Sequence, residues 1–396
     1  MQQLPGRGNR MSDSGGRIRV GVFFGGRSSE HEISLRSALT VMSAMNPERY
    51  EIVPIGIDRD GKWYLERNAL KLLAETTPHL AALSAGDTPV TLLPHPESHA
   101  LVRVSTSAVS ANGAGTLATD PLDVVFPVLH GTYGEDGTVQ GLLELAGIPY
   151  VGAGVLGSAI GMDKDVQKRL LRGARVPVVN YHSIDRVDWR EHPAVAHGLA
   201  RDLGYPVFVK PNALGSSIGI SKVRRAAELD QALEDAFQYD RKALIEASCI
   251  GREFEVAVLG NDRPEASLPG EVVVKGHHEF YSYESKYVDP AGSEVKIPAA
   301  LPRETAKKIS TIAVRAFKAL SLRGMARVDF LASRDLKRIY VNEVNTIPGF
   351  TAISMYPKLW EASGLPLPNL IDRLIELALE EYSERAALKF SYQPKR

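Results

Sequence analysis

Two short runs in the last third of the chain constrain its fold more than any other stretch. Arg327-Val328-Asp329-Phe330-Leu331 is followed, after a short gap, by Asn342-Glu343-Val344-Asn345-Thr346-Ile347-Pro348-Gly349. Each is an apolar run with polar residues two apart, Arg327 and Asp329 in the first and Glu343 and Asn345 in the second, the spacing of one face of a β-strand, in which successive side chains point to opposite faces. Glu343 and Asn345 therefore share a face, and so do Arg327 and Asp329. Paired as a hairpin, the runs bring Asp329 beside Glu343 and Asn345. Asn and Asp are poor strand residues, and the Pro348-Gly349 stop follows at once. Two carboxylates and an amide oxygen on a rigid sheet suit a hard cation, such as Mg²⁺ carrying nucleotide phosphates. The alternative is a solvated strand face with one salt bridge.

A chain of 396 residues is too long for one core, so two or three domains are expected. Lys and Arg balance Asp and Glu at 47 each, which argues against nucleic acid or an anionic membrane as partner. Cys249 is the only cysteine, which excludes an intrachain disulfide and a Cys₄ zinc site and fits a reducing compartment. No apolar run is long enough to span a membrane. Residues 1–17 are expected to be a disordered leader, with Met11 as an alternative start. The segment from Met1 to Gly16 lacks the apolar core of a signal peptide, and a cytoplasmic location is expected.

The rest of the chain reads as α/β. Ile18 to Phe24 is a buried strand, Ile33, Ala38, Val41, Met42 and Met45 mark a helix, and Tyr50 to Ile57 is the next strand. That is a βαβ unit, so a parallel sheet is expected. Residues 65–120 read as an irregular insertion with a helix and some strand. A strand over Asp123 to Leu129, a helix over Thr138 to Ala146 and a strand over Ile148 to Val151 make a second unit. The expected division is an N-terminal α/β substrate-binding domain over 18–152, a central domain over 153–243 and a C-terminal domain over 244–396.

The central domain should carry helices over Val155 to Gly161 and Lys164 to Gly173. A strand over Pro206 to Lys210, a loop over Gly215 to Gly219, a return strand over Ile220 to Val223 and a helix over Ala226 to Phe237 follow. The third domain should be strand-rich from Leu244 to about Lys296, then hold a helix over Arg303 to Leu320, the hairpin and a C-terminal helix around Leu370 to Tyr382.

Generic motifs need testing first. Gly152-Ala153-Gly154-Val155-Leu156-Gly157 fits the dinucleotide fingerprint, but a second helix stands where the fingerprint needs a strand ending in an acidic residue. Gly215-Ser216-Ser217-Ile218-Gly219 fits the nucleophile elbow of hydrolases, which requires a helix after the serine; a strand is expected instead. Between two strands, this loop reads better as a flap whose N–H groups and hydroxyls close over phosphates. Lys210 would supply a point charge there. Lys164 is placed in the first turn of a helix capped by Asp163, where a cation opposes the helix dipole. That points to a nearby anion; a tolerated surface lysine offset by Asp165 is the alternative.

Glu246 and Glu253 border apolar strands and read as nucleotide contacts or as edge-strand charges. Ser29-x-x-Glu32 reads as a capping box, which leaves Glu30 to face the crevice at the carboxyl end of the first strand, where open α/β sheets bind ligands. His130 ends a neighbouring strand and reads equally as structural or functional.

Together these motifs resemble the D-alanine–D-alanine ligase family of the ATP-grasp superfamily. The resemblance runs from residue 18 to about 380. It rests on G-G-R-S-S-E-H-E-I-S-L (25–35), H-G-T-Y-G-E-D-G-T-V-Q-G (130–141), M-D-K (162–164), K-P-N-A-L-G-S-S-I-G (210–219), Y-S-Y-E-S-K-Y (281–287) and N-E-V-N-T-I-P-G (342–349). It implies an α/β, three-domain ATP-grasp architecture with an N-terminal parallel-sheet (pre-ATP-grasp) domain, and a homodimer. It implies ligation of two D-alanines through a D-alanyl phosphate, with ATP as substrate.

By the same resemblance, Lys164, Lys210 and Lys286 would contact ATP phosphates, with Ser217 in the flap and Glu246 and Glu253 near adenine and ribose. Asp329, Glu343 and Asn345 would hold two Mg²⁺ or Mn²⁺. Glu30 would bind the first D-alanine's ammonium, with His130 close by, and Arg327 and a backbone N–H near Gly349 would stabilise the oxyanion. Ser354 would bind the second carboxylate, and Glu30, Ser216 and Tyr287 would form a closing triad. Tyr287 goes with an amine acceptor; depsipeptide ligases that accept D-lactate depart from it. Asn212-Ala213-Leu214 and Ile347 depart modestly from the family pattern. The rivals are a D-lactate or D-serine ligase, a nucleotide-binding regulatory protein without chemistry, and a serine hydrolase.

Overall fold

Three sheets organise the chain in this computed structural model, which describes residues 16–66, 68–70, 73, 88–96, 98–104, 119–249, 251–275 and 292–389. The expected leader lies outside them, as do Lys286, Tyr287 and the rest of the Tyr-rich run.

The first sheet has six strands. Its centre is β1 (Ile18–Gly25), parallel to β2 (Tyr50–Ile57) on one side and to β6 (Val124–Val128) on the other. β1 and β6 are near-continuous apolar runs because helices cover both their faces. α1 (His31–Ala44) buries Leu35, Ala38, Val41 and Met42 on one face, and α2 (Thr138–Leu145) buries Val139 and Leu143 on the other. Among the described residues of the insertion, the expected strand is present. β3 (Trp63–Leu65), β4 (Thr88–Leu92) and β5 (Leu101–Arg103) extend the sheet in antiparallel fashion. The closing strand expected at Ile148 to Val151 is only a single parallel bridge between Val125 and Tyr150.

α3 (Val155–Met162) and α4 (Lys164–Gly173) lead to the second sheet, whose order is β7 (Tyr181–Asp185), β10 (Lys242–Ala247), β8 (Val207–Pro211) and β9 (Ser221–Val223). All its pairings are antiparallel. Between these strands lie α5 (Arg186–Glu191), α6 (Pro193–Leu203) and α7 (Leu229–Ala236). β7, α5 and α6 were not expected. β10 pairs with both β7 and β8, so a division at 243/244 cuts through a central strand; one just after Ala247 leaves both sheets whole.

The third sheet runs β14 (Ser293–Lys296), β13 (Gly270–Val274), β11 (Gly251–Leu259), β15 (Met325–Ser333) and β16 (Ile339–Asn345), with the short β12 (Glu265–Ala266) beside β11. α8 (Arg303–Ala319) buries Ile309, Ile312, Ala316 and Phe317 against it. The expected hairpin is present as β15 and β16, paired antiparallel with a bulge after Asp329. α9 (Met355–Ala362), also unexpected, precedes α10 (Leu367–Ala386). The apolar face of α10 packs with α1 and β6 in one core, so the chain's end locks onto its beginning. Leu370, Ile371, Leu374 and Ile375 are all buried there, each stabilising the contact by roughly 1.5–3 kcal/mol.

Candidate active site

The second and third sheets enclose a cavity of about 420 Å³ whose walls include Lys164, Lys210, Ser217, Glu253, Asp329 and Glu343. Glu246 of β10 lines it too, with its carboxylate between two ammonium groups. Lys210 Nζ stands 2.7 Å from Glu246 Oε2, and Lys168 Nζ 3.1 Å from Glu246 Oε1. Lys168 lies one turn after Lys164 on α4 and also donates to Asn342 O at 2.9 Å. Burial disfavours all three charges, with different outcomes. Burial pushes the Glu246 carboxyl up, but the two lysines outweigh it and hold the group down at about 2. Lys168 falls below its ordinary value because burial outweighs Glu246. Lys210 rises because Glu246, helped by Glu343 and Glu253, outweighs burial. Two cations around one ionised carboxylate leave this wall suited to an anion.

Asp163 caps α4 as expected, accepting from Val166 N at 2.9 Å. Lys164 follows it, and its position has a structural reason. Its Nζ donates to Leu214 O at 2.6 Å and lies 3.6 Å from Glu343 Oε2, while its backbone N–H donates to Asn212 O at 3.2 Å. The lysine thus ties the start of the flap to the acidic strand.

Register places Glu255 of β11, Asp329 of β15 and Glu343 of β16 in one row across three neighbouring strands; Arg327 and Asn345 are paired in the next polar row. Arg327 donates from Nε and Nη2 to the two oxygens of Asp329, both at 2.7 Å, and its Nε lies 2.9 Å from Glu255 Oε2. Asn345 Nδ2 donates to Asp329 Oδ2 at 3.0 Å. Among the described residues, no three His, Cys, Asp or Glu side chains converge on one point. The set of Asp329, Glu343 and Asn345 is all oxygen-bearing and held on strands, which fits a hard cation. Such a cation would share Asp329 with Arg327.

The flap between β8 and β9 meets Glu30, just before α1. Ser216 and Ser217 both have left-handed backbones, with φ of +52° and +58°, a conformation that costs non-glycine residues about 1 kcal/mol or more each. Ser216 Oγ donates a short hydrogen bond to Glu30 Oε1. Glu30 itself stands at the N-cap of α1, where the helix dipole favours a carboxylate. The capping box expected from Ser29 and Glu32 is therefore not formed; Glu32 pairs with Arg59 instead. A Cβ on Gly131, whose φ is +74°, would lie 2.9 Å from Glu30 Oε2, and one on Gly215 would lie 2.8 Å from it. The two glycines let both loops close around that carboxylate.

His130 follows β6 and is buried. Its Nδ1 donates to Ile347 O at 3.0 Å, and its Nε2 meets Ser37 Oγ at 3.2 Å. Burial pushes the imidazole below its ordinary value, although the Glu30 charge opposes this; Arg327 adds to the depression. Both ring nitrogens are engaged by protein groups. Glu135, which the sequence reading did not single out, accepts from Gly131 N and Ile347 N at 2.8 Å each. Burial, reinforced by the charge of Glu30, pushes its carboxyl up to about 8. Beyond Ile347, a Cβ on Gly349 would lie 2.8 Å from Ser354 Oγ, and Ser354 Oγ accepts from Thr351 N at 3.0 Å.

The comparisons with known proteins meet this geometry. Residues 19–153 match the family model described as D-ala D-ala ligase N-terminus, and residues 170–376 the one described as D-ala D-ala ligase C-terminus. The chain belongs to the D-alanine–D-alanine ligase family. The D-alanine–D-alanine ligase A of Chromobacterium violaceum is 48% identical over 378 residues, spanning 96% of this chain and 100% of that protein. A D-alanine–D-alanine ligase of Oceanobacillus iheyensis is 44% identical, spanning 94% and 98%. The solved D-alanine-D-alanine ligase from Coxiella burnetii has a TM-score of 0.79 at 39% identity and covers 93% of this chain and 96% of its own. The VanG D-Ala:D-Ser ligase from Enterococcus faecalis has the same TM-score at 35% identity, covering 92% and 100%.

The family is one of ATP-dependent ligases, and the fold is the expected ATP-grasp arrangement. The elbow and fingerprint motifs fail structurally: strand β9 follows Ser217, and helix α4 follows α3. The sequence reading missed Lys168, Glu255, Glu135 and Ser37. Lys168 is one turn from Lys164, and Glu255 two residues from Glu253 on a strand, so periodicity held a signal for those two.

Proposed function

We propose that this cavity and the Glu30 pocket are the two halves of one ligase site, with the nucleotide in the first and the amino acids reaching it from the second. The enzyme joins two D-alanines at the expense of ATP, for peptidoglycan precursors. The observation that carries the residue assignment is Arg327. It donates to Asp329 of the acidic row from the neighbouring polar row, and its charge also acts on His130 and Glu135 beside the Glu30 pocket. A guanidinium at that junction suits a developing acyl phosphate.

On this reading Lys164 and Lys210 neutralise ATP phosphates, with Lys286 completing the set. Ser217 and the flap N–H groups close over them, and Glu253 faces the ribose. Glu246, expected beside the adenine, has its carboxylate committed to Lys168 and Lys210, so we assign it to holding Lys210 in place. Asp329, Glu343 and Asn345 would hold two Mg²⁺ or Mn²⁺, which supply charge neutralisation for phosphoryl transfer. Glu30 receives the first D-alanine's ammonium. The first substrate's carboxylate takes the γ-phosphoryl group, and the second substrate's amine displaces phosphate from the acyl carbon. Arg327 and the Gly349 N–H stabilise the oxyanion, and Ser354 binds the second carboxylate. The Ser216–Glu30 hydrogen bond shuts the flap, with Tyr287 as the third member, and keeps water from the acyl phosphate.

A cytoplasmic location and a homodimer complete the proposal. Among the described residues no helix is long and apolar enough to cross a membrane. Leu145, Val155 and Leu156 are exposed apolar residues available for self-association, which sedimentation would test.

The decisive assay follows ADP release with D-alanine, D-lactate, D-serine and L-alanine. D-alanine alone should support turnover. D-serine belongs in the panel because of the VanG likeness. ADP release with D-alanine plus D-serine or D-lactate, but not with D-alanine alone, would move the acceptor assignment.

A further inference from the structure

The segment Ile347 to Phe350 belongs to the last domain by sequence, yet side chains of the first domain hold it. Ile347 is gripped at both ends of its peptide groups: Glu135 Oε1 accepts its N–H at 2.8 Å, and His130 Nδ1 donates to its carbonyl at 3.0 Å. Three residues on, Phe350 N donates to Ser37 Oγ of α1 at 3.1 Å. The proton directions close into a consistent chain. A carbonyl only accepts, so Nδ1 of His130 carries the hydrogen and Nε2 of the neutral ring accepts. Ser37 Oγ, 3.2 Å away, donates to Nε2 and keeps a lone pair for Phe350 N–H. Both Ser37 and His130 are buried, and Phe350 packs edge-on against Phe126 of β6 with ring centroids 5.9 Å apart. Gly349 lies between the two gripped residues.

We propose that Ser37 and Glu135, together with His130, are positioning residues that set the Gly349 N–H for the transition state by fixing Ile347 and Phe350 on either side of it. The inference rests on the role given above to the Gly349 N–H. Glu135 extends the same grip to Gly131 N, at 2.8 Å, and so to the loop that clasps Glu30. One side chain therefore couples the pocket for the first amino acid to the loop that would receive the oxyanion. A donor must sit within hydrogen-bond reach of the oxyanion's position rather than the ground-state oxygen's, and a displacement of about 1 Å can cost roughly 10²-fold in rate.

The test is steady-state kinetics of Glu135→Ala, Glu135→Gln and Ser37→Ala in the full-length enzyme, with nucleotide affinity from a fluorescent ATP analogue. The proposal expects kcat to fall at least ~10-fold in Glu135→Ala, with nucleotide affinity unchanged. Glu135→Gln keeps one acceptor oxygen for two N–H donors and should fall between wild type and Ala. Ser37→Ala, which deletes one hydroxyl, should lower kcat in the same way and stands as the test where Glu135→Ala does not fold. Lowered thermal stability with normal kcat in Glu135→Gln and Ser37→Ala would overturn the proposal and make the grip purely structural. Replacing the Gly349 amide by an ester, through glycolate at position 349, separates the two levels. A rate loss there with normal kcat in the other variants sinks the grip alone; no loss there sinks the reading of Gly349 itself.

Discussion

Glu255 offers the sharpest single perturbation, because its carboxylate meets Arg327 directly. Arg327 Nε lies 2.9 Å from Glu255 Oε2, with the side chains 17% and 6% exposed. At that separation and an effective dielectric near 20, the gross attraction is about 6 kcal/mol. Desolvation of both groups offsets much of it. Arg327 also keeps its two hydrogen bonds to Asp329, so it is not stranded when Glu255 is removed. The net cost of Glu255→Gln should then fall well short of the ~3–5 kcal/mol typical of breaking a buried pair, at about 1–2 kcal/mol. On the proposed assignment Asp329 would also serve cations, and Glu255 would then be the partner that keeps the guanidinium in place. We expect Glu255→Gln to lower kcat roughly 10-fold, which is about 1.4 kcal/mol of transition-state stabilisation. Arg327→Ala should lower it by at least ~10², the typical loss of one oxyanion donor. The assay is ADP release at saturating ATP and D-alanine for both single variants and the double variant. If Glu255 acts through Arg327, its substitution should have no further effect once Arg327 is alanine. Additive losses would refute the reasoning, because they would mean that Glu255 acts on something else.

Three further outcomes follow from the same geometry. Ser216→Ala removes the flap's hydrogen bond to Glu30 and should raise the KM for D-alanine and release ADP without dipeptide, as water reaches the acyl phosphate; a dipeptide-to-ADP ratio still at unity would contradict the seal. Lys168→Met leaves Glu246 buried with Lys210 as its one remaining lysine and should cost roughly 3 kcal/mol of stability, read by urea unfolding, and weaken ATP binding through Lys210. Glu135 gives a pH prediction. Burial with the Glu30 charge raises its carboxyl from 4.5 to about 8, against Gly131 N–H, Ile347 N–H and Arg327, which favour the ionised form. The folded state therefore binds the extra proton between those values. Its stabilising contribution is fully present below pH ~4.5 and is lost as pH rises through ~8. The melting temperature of wild type should fall more steeply from pH 5 to 8 than that of Glu135→Gln, and equal slopes would refute the shift.

What could be read in the chain divides along a physical line. The hairpin of Arg327, Asp329, Glu343 and Asn345 was legible because strand alternation fixes faces, and two adjacent strands need only one turn to pair. Lys164 was legible because its place against a helix dipole is unfavourable without a partner, and the structure supplies Glu343 and the Leu214 carbonyl. The capping box misled because Glu30 is itself the cap residue, so Ser29 and Glu32 had the spacing without the position. β7, whose sequence is Tyr181-His182-Ser183-Ile184-Asp185, is half polar and short, and only its pairing with β10 makes it a strand. Glu255 was invisible as a partner of Arg327 because that depends on the register of β11 against β15, strands separated by more than 60 residues in sequence.

Glu135 and Ser37 are a deeper case. They act on backbone N–H groups, and every non-proline residue has one, so no residue type in the segment from Ile347 to Phe350 marks it as gripped. The first domain contributes one carboxylate, Glu30, to the pocket where a substrate would lie, and spends three more polar side chains on the backbone of another domain's loop. On the proposed assignment the site is assembled between the first sheet and the hairpin and would need such contacts, because each sheet can fix only its own side chains and the distance between the acyl carbon and its oxyanion donor would cross that boundary. The residues that govern that distance should then be those least visible in sequence and most sensitive in kcat.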